Sequence, residues 1–179
     1  MAFTDATLQL SNAQTVNSTS VASTVVYDVT GAGVGNAPNQ IVGGGSTYVF
    51  GADIAVGRTI YAWFVVTTAF VLASSTPHLT FEVQSAPPIS ISNNNEGTYT
   101  TLVASAAFTA AQLVKGAQLI LPIAPKLMAA GEVMGRFYRA YYLVDTSTFS
   151  AGAVDAYISL EPPSGFVSTL YPNNFASGL

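Results

Sequence analysis

The ten residues GRFYRAYYLV, Gly135 to Val144, decide how this chain is to be read. They set Arg136 and Arg139 among four aromatics, Phe137, Tyr138, Tyr141 and Tyr142, so two of the chain's five Lys and Arg residues fall here. A β-strand sends successive side chains to opposite faces. One face then carries Tyr138, Ala140, Tyr142 and Val144, an uncharged set suited to a core. The other carries Phe137, Arg139, Tyr141 and Leu143, so rings stand on both sides and the second face needs something to pack against. Either that face meets another chain, with Arg136 nearby, or Arg139 lays its aliphatic stem over a rim and keeps its charge in water.

Strand signals continue on either side of this segment. STVVYDV (residues 23–29) alternates, with Val25, Tyr27 and Val29 on one side. RTIYAWFVVTTAFVL (58–72) is almost continuously apolar and predicts a strand buried on both faces, with Trp63 in the core. LTFEVQS (79–85) alternates, pointing Leu79, Phe81 and Val83 inward and Thr80, Glu82 and Gln84 outward. PPISISNNNEGTYTTLVAS predicts a Pro-marked start, an Asn-rich turn and a further strand; QLILPI (118–123) and GAVDAYISL (152–160) complete the set. The one helical candidate, TAAQLVKG (109–116), amounts to a single turn with Thr109 as cap and Gly116 as stop. About eight short antiparallel strands separated by Gly, Pro and Asn turns predict an all-β sandwich or barrel. Residues 1–160 read as this one domain. Residues 161–179 open with Pro162 and Pro163, which stop the preceding strand. They carry Phe166, Leu170, Tyr171, Phe175 and Leu179 without periodicity. This segment reads as a non-regular C-terminal arm docked on its own or a neighbouring subunit, with a loose tail as the alternative.

Composition narrows the function. Of the 179 residues, 50% are hydrophobic and 8% charged, against roughly a quarter charged in ordinary soluble domains. Such a surface suits either a compact β protein with few charges or a subunit largely covered by neighbours, and the risk of aggregation favours the second. A net charge of −4 with no basic cluster argues against nucleic-acid binding. With no cysteine there is neither a disulfide framework nor a thiolate site. The start lacks the basic and apolar regions of a secretory signal, and the longest apolar run, Ile60 to Ala73, is too short for a membrane helix. Synthesis in the cytoplasm, with no membrane partner, is the expectation.

Catalytic patterns are missing together. The single histidine, His78, has no G-x-S-x-G serine to serve and reads as a strand-edge residue. The nine Asp and Glu are scattered; Asp145 and Asp155 flank an expected hairpin and could approach each other, but no lined cleft accompanies them. NNNEG (93–97) offers one acid and reads as a turn rather than a calcium loop. GAGVGN (31–36) lacks the strand-to-helix setting of a phosphate cradle. No cofactor, metal or small-molecule substrate is indicated, and the expectation is a protein that is not an enzyme.

Several segments carry a family likeness. LQLSNAQTVNSTSVASTVVYDV, LTFEVQSA, LVASAAFTAAQLVKGAQLILPI and GRFYRAYYLVDTSTFSAGAVDAYISL follow one another in an order that resembles the Bbp16-type capsid cement proteins of tailed bacteriophages. The family's late pattern of an aromatic, an arginine and a tyrosine, then Ala-Gly-Ala-Val, is matched by Tyr138-Arg139-Ala140-Tyr141-Tyr142 and Ser150-Ala151-Gly152-Ala153-Val154. Residues 36–57 and the tail after Glu161 depart from it. The resemblance implies a single-domain jelly roll that forms a homotrimer, binds the major capsid protein on the outer surface of an assembled head, and stabilises the virion. Arg136, Phe137, Arg139, Tyr141, Phe166, Leu170, Tyr171 and Phe175 are the residues then expected at the subunit or capsid interface. A second function class stays open: a carbohydrate- or receptor-binding β-sandwich of a head fibre or tail, with Trp63 and the tyrosines as stacking platforms.

Overall fold

Alternating burial along the strands builds the molecule. The computed structural model describes residues 9–28, 60–73, 75–90, 93–123, 135 and 137–159, and among them lie twelve strands and no helix. In chain order these are β1 (Gln9–Thr15), β2 (Ser20–Ala22), β3 (Tyr27–Asp28), β4 (Ile60–Leu72), β5 (His78–Ala86), β6 (Pro88–Ser90), β7 (Asn93–Glu96), β8 (Thr100–Ala104), β9 (Phe108–Thr109), β10 (Gln118–Ile123), β11 (Phe137–Asp145) and β12 (Phe149–Ser159). One sheet runs β1-β12-β4-β10. The other runs β2-β11-β5-β8, with β3 also on β11 and β9 also on β5. A separate β6–β7 hairpin makes a third, two-stranded sheet.

Every pairing in the two large sheets is antiparallel. The chain crosses from one sheet to the other between β1 and β2, β3 and β4, β4 and β5, β9 and β10, β10 and β11, and β11 and β12. With β2–β3 and β8–β9 each counted as one broken strand, eight strand positions interleave as two four-stranded layers, which is the jelly-roll arrangement. β11 and β12 therefore lie in different layers, and the hairpin expected between Asp145 and Asp155 does not form. The strand expected at residues 23–29 is likewise interrupted over its described part, 23–28. Ser23 leaves the ladder to bond Ala140 and Val25, and Val25 N donates to Leu10 of the opposite layer.

The core follows the predicted inward rows. Tyr138, Ala140, Tyr142 and Val144 of β11 are buried, as are Leu79, Phe81 and Val83 of β5. Phe64 packs on Phe81 at 5.0 Å between ring centroids, and Tyr142 meets both edge-on at 6.3 and 6.0 Å. Such contacts add to the burial of large rings, the dominant favourable contribution here. β4 corrects the sequence reading. Its even positions Ala62, Phe64 and Val66 are buried, while Tyr61, Trp63 and Val65 face outward with intermediate exposure. Trp63 is thus outside the core; an apolar run conceals an alternation because its outer residues are apolar too.

A single helical turn does occupy 109–113, where Leu113 N donates to Thr109 O and the Thr109 amide is capped by Gln112 Oε1. Gly116 ends the segment at φ +85°, a conformation glycine adopts without penalty. Gly152 sits opposite Phe70, where an added Cβ would lie 2.4 Å from the ring.

Tyr142 of this row is buried in the sandwich with its hydroxyl. It donates to Ser11 Oγ of β1 at 2.8 Å, and Ser11 donates in turn to Gln14 Oε1 at 2.7 Å. Burial pushes the Tyr142 phenol pKa up, with the Ser11 bond opposing, so the ring stays neutral. Tyr142→Phe is expected to cost about 1 kcal/mol, since Ser11 keeps Gln14 as a partner. Gly152→Ala is expected to cost more, about 1–3 kcal/mol, because Phe70 must leave its rotamer. Chemical denaturation of the two variants checks the order.

Candidate functional site

The outward row of β11 is laid out by its ladder with β5. Arg139 pairs with Gln84, Tyr141 with Glu82 and Leu143 with Thr80, and β8 continues the face beyond β5. The period-two pattern thus places Arg139 and Tyr141 on the outer face of this sheet, half-buried, with Leu143 38% exposed beside them. Phe137 does not join them. It is fully buried, as are Ser85 and Ala86 on the paired strand, because this end of the sheet is covered on both faces. Its expected place at an interface is therefore corrected: it has no surface to offer. Arg136, Phe166, Leu170, Tyr171 and Phe175 lie outside the described residues.

Arg139 is held on three sides. Its Nε and Nη2 both donate to Gln84 Oε1, at 2.9 and 2.8 Å. Its guanidinium carbon stands 3.6 Å from the centroid of the Tyr99 ring and 5.4 Å from that of Tyr141. Both distances are within cation–π range. Gln84 passes the constraint on, its Nε2 donating to Glu82 Oε2, which also accepts from Thr101 Oγ1 at 2.9 Å. Tyr99 in turn donates to Glu96 Oε2 at 2.7 Å. Burial raises the Tyr99 pKa, and Glu96 raises it further against the opposing charge of Arg139, so the phenol remains a donor. The result is a web linking β11, β5, β8 and the segment between β7 and β8.

Arg139, Glu82 and Gln84 are visible as outward residues in the sequence. Tyr99 and Glu96 are not, because they stand outside the alternating part of β8, where spacing says nothing about direction. The only forewarning was chemical: an arginine between aromatics on a strand needs a ring to lie on.

The other outer face carries Tyr61, Trp63 and Val65 of β4, Asp155 and Tyr157 of β12, and Gln118 and Ile120 of β10, aligned by register. Trp63 and Tyr157 lie 5.4 Å apart at 35°, Trp63 Nε1 donates to Gln118 Oε1, and Gln9 Nε2 donates to the Tyr157 hydroxyl. Between the two sheets, a cavity of about 10 Å³ is lined by Phe64, Phe81, Phe108 and Leu113, room for no more than one water-sized body. Among the described residues no three His, Cys, Asp or Glu gather as a metal site.

His78 and Asp145 pair at the start of β5 and the end of β11. His78 Nδ1 lies 3.3 Å from Asp145 Oδ1, and the His78 amide donates to the same oxygen. Asp155 belongs to the opposite sheet and bonds Ala13 and Tyr157 instead. Partial desolvation alone would raise the Asp145 pKa. The amide of His78, the Thr146 hydroxyl and the imidazole outweigh it and hold the carboxyl below its ordinary value.

The family model of Bbp16 matches residues 10–158, most of the chain. No curated protein matches it.

A carboxyl with a lowered folded pKa adds stability above its unfolded pKa and loses it as pH falls through the folded value. The melting temperature is therefore expected to drop below about pH 4, and Asp145→Asn to lower it at neutral pH, flatten that drop and converge with wild type at the acid end. Calorimetry across acid pH checks this.

Proposed function

The chain belongs to the Bbp16 family and is a bacteriophage protein, and from that premise we propose that it is a structural protein of the virion, a cement or decoration protein. It binds the outside of an assembled head, as a homotrimer, and stabilises it without catalysing a reaction. The observation that supports this most directly is the dress of the two outer sheet faces. A solvated antiparallel sheet ordinarily alternates apolar-in with polar-out. Here the outward rows hold Tyr141 and Leu143 on one side and Tyr61, Trp63, Val65, Ile120 and Tyr157 on the other. Aromatic residues and arginine, with lysine depleted, are the composition of interface cores.

The mechanism is mass action. A protein that binds only the assembled shell stabilises it in proportion to occupancy and affinity. Three copies on one rigid body convert weak single contacts into a firm hold. The major capsid protein is the partner this requires; no nucleic acid, membrane or small-molecule substrate is needed. The placement of Trp63 beside Tyr157 on an outer face supports a second reading, a carbohydrate- or receptor-binding module of a head fibre or tail. Strong retention on polysaccharide with no affinity for capsids would favour it.

The purified protein is expected to run as a trimer at micromolar concentration by light scattering, and to raise the melting temperature of capsids that lack it. A clean monomer that leaves capsid melting unchanged would overturn the proposal.

A further inference from the structure

A guanidinium carries five N–H donors in a fixed plane, and they form two carboxylate-shaped forks. In Arg139 the side fork, Nε with one hydrogen of Nη2, is closed on Gln84 Oε1. The end fork, Nη1 with the second hydrogen of Nη2, has no hydrogen-bond partner among the described residues. Nor is it sealed off: among the described residues the buried polar side-chain atoms without a partner are Thr67 Oγ1 and Ser147 Oγ, not a nitrogen of Arg139.

The charge also has no direct ion-pair contact among the described residues. Arg139 is bonded to a neutral amide, and the ion pair found among the described residues is that of His78 with Asp145. The two nearby carboxylates are engaged elsewhere, Glu82 by Gln84 and Thr101, and Glu96 by Tyr99. Stacking on Tyr99 fixes the plane of the group, so little rotamer freedom is left to lose on binding.

We propose that the end fork of Arg139 receives a carboxylate, presented by an acidic side chain of the protein on which this face docks, in bidentate geometry with Tyr99 beneath it and Tyr141 beside it. The inference rests on the docking role proposed above and gives it a chemistry. A phosphate backbone fits less well: Glu82 and Glu96 flank the site and the chain carries a net charge of −4, so a polyanion is repelled where one carboxylate is accepted.

Two measurements on the full chain test it. In the first, arginine side-chain ¹⁵N resonances are followed while sodium acetate, and separately inorganic phosphate, is added. Acetate should shift Arg139 saturably and leave Arg58 and Arg136 in place; no such shift, or a larger one with phosphate, overturns the assignment. In the second, binding to capsids lacking the protein is compared for wild type, Arg139→Lys and Arg139→Gln at low and high salt. Both variants should bind about tenfold or more weakly, and the glutamine variant should lose part of the salt dependence. A glutamine variant that binds as tightly as wild type, with the same salt dependence, refutes the proposal. If wild type binds no capsid, the docking reading fails by itself and the acetate titration alone decides the fork. Wild-type acetate data also decide it if a variant proves unfolded by thermal melting.

Discussion

A phenol in the middle of a sandwich must find a hydrogen-bond partner, and this one constraint ties the molecule together. Tyr142 is the largest of the fully buried side chains and reaches from one layer to Ser11 of the other. Ser11 hands the bond to Gln14, which reaches the backbone of Ala22 and accepts from Thr24. Strands β1, β2 and β11 and the first crossover are thereby linked by one polar thread inside an apolar core. A one-residue slip of β11 would expose Tyr142 and bury Arg139, two costs of the same sign, so the pairing of β11 with β5 is strongly specified.

With the inner row of β11 fixed, the outer row has no freedom either. Arg139 must emerge beside Gln84, and the planar group then finds Tyr99 as its bed. The strand was expected to resolve into either an interface arginine or an arginine trailing over a rim. Within the chain the structure shows neither a loose stem nor a trailing charge but a guanidinium set against Tyr99 and half-ligated by Gln84, with one donor edge left over. The rigidity comes from within, and the capacity to bind is what remains.

How far the sequence can be read depends on which physical rule was in play. Period-two alternation holds over His78 to Val83 of β5 and Tyr138 to Asp145 of β11, so their inward residues were legible one by one. In β4 the rule operated but its signal was hidden, because Tyr61, Trp63 and Val65 are as apolar as the residues facing the core. Phe137 failed for the opposite reason: alternation holds only where one face is open, and both faces are closed at that end of the sheet. Tyr99 and Glu96 were illegible because their approach to Arg139 depends on a turn, and the Tyr142–Ser11 bond because it spans 131 residues. The jelly-roll order itself came from the family likeness; spacing alone left a barrel equally open.

The irregularity of β1 has a consequence of its own. It borders its sheet, yet its pairing with β12 shifts twice within seven residues, and Ala13 turns to φ +43°. At the opposite border, β10 carries Pro122, which has no amide to donate. Proteins often guard such free borders with lysines, a device scarcely present in a chain with so few cations. Kinks and a proline take over that duty here. A strand from another chain is thus denied a straight ladder to zip onto at either border of this sheet.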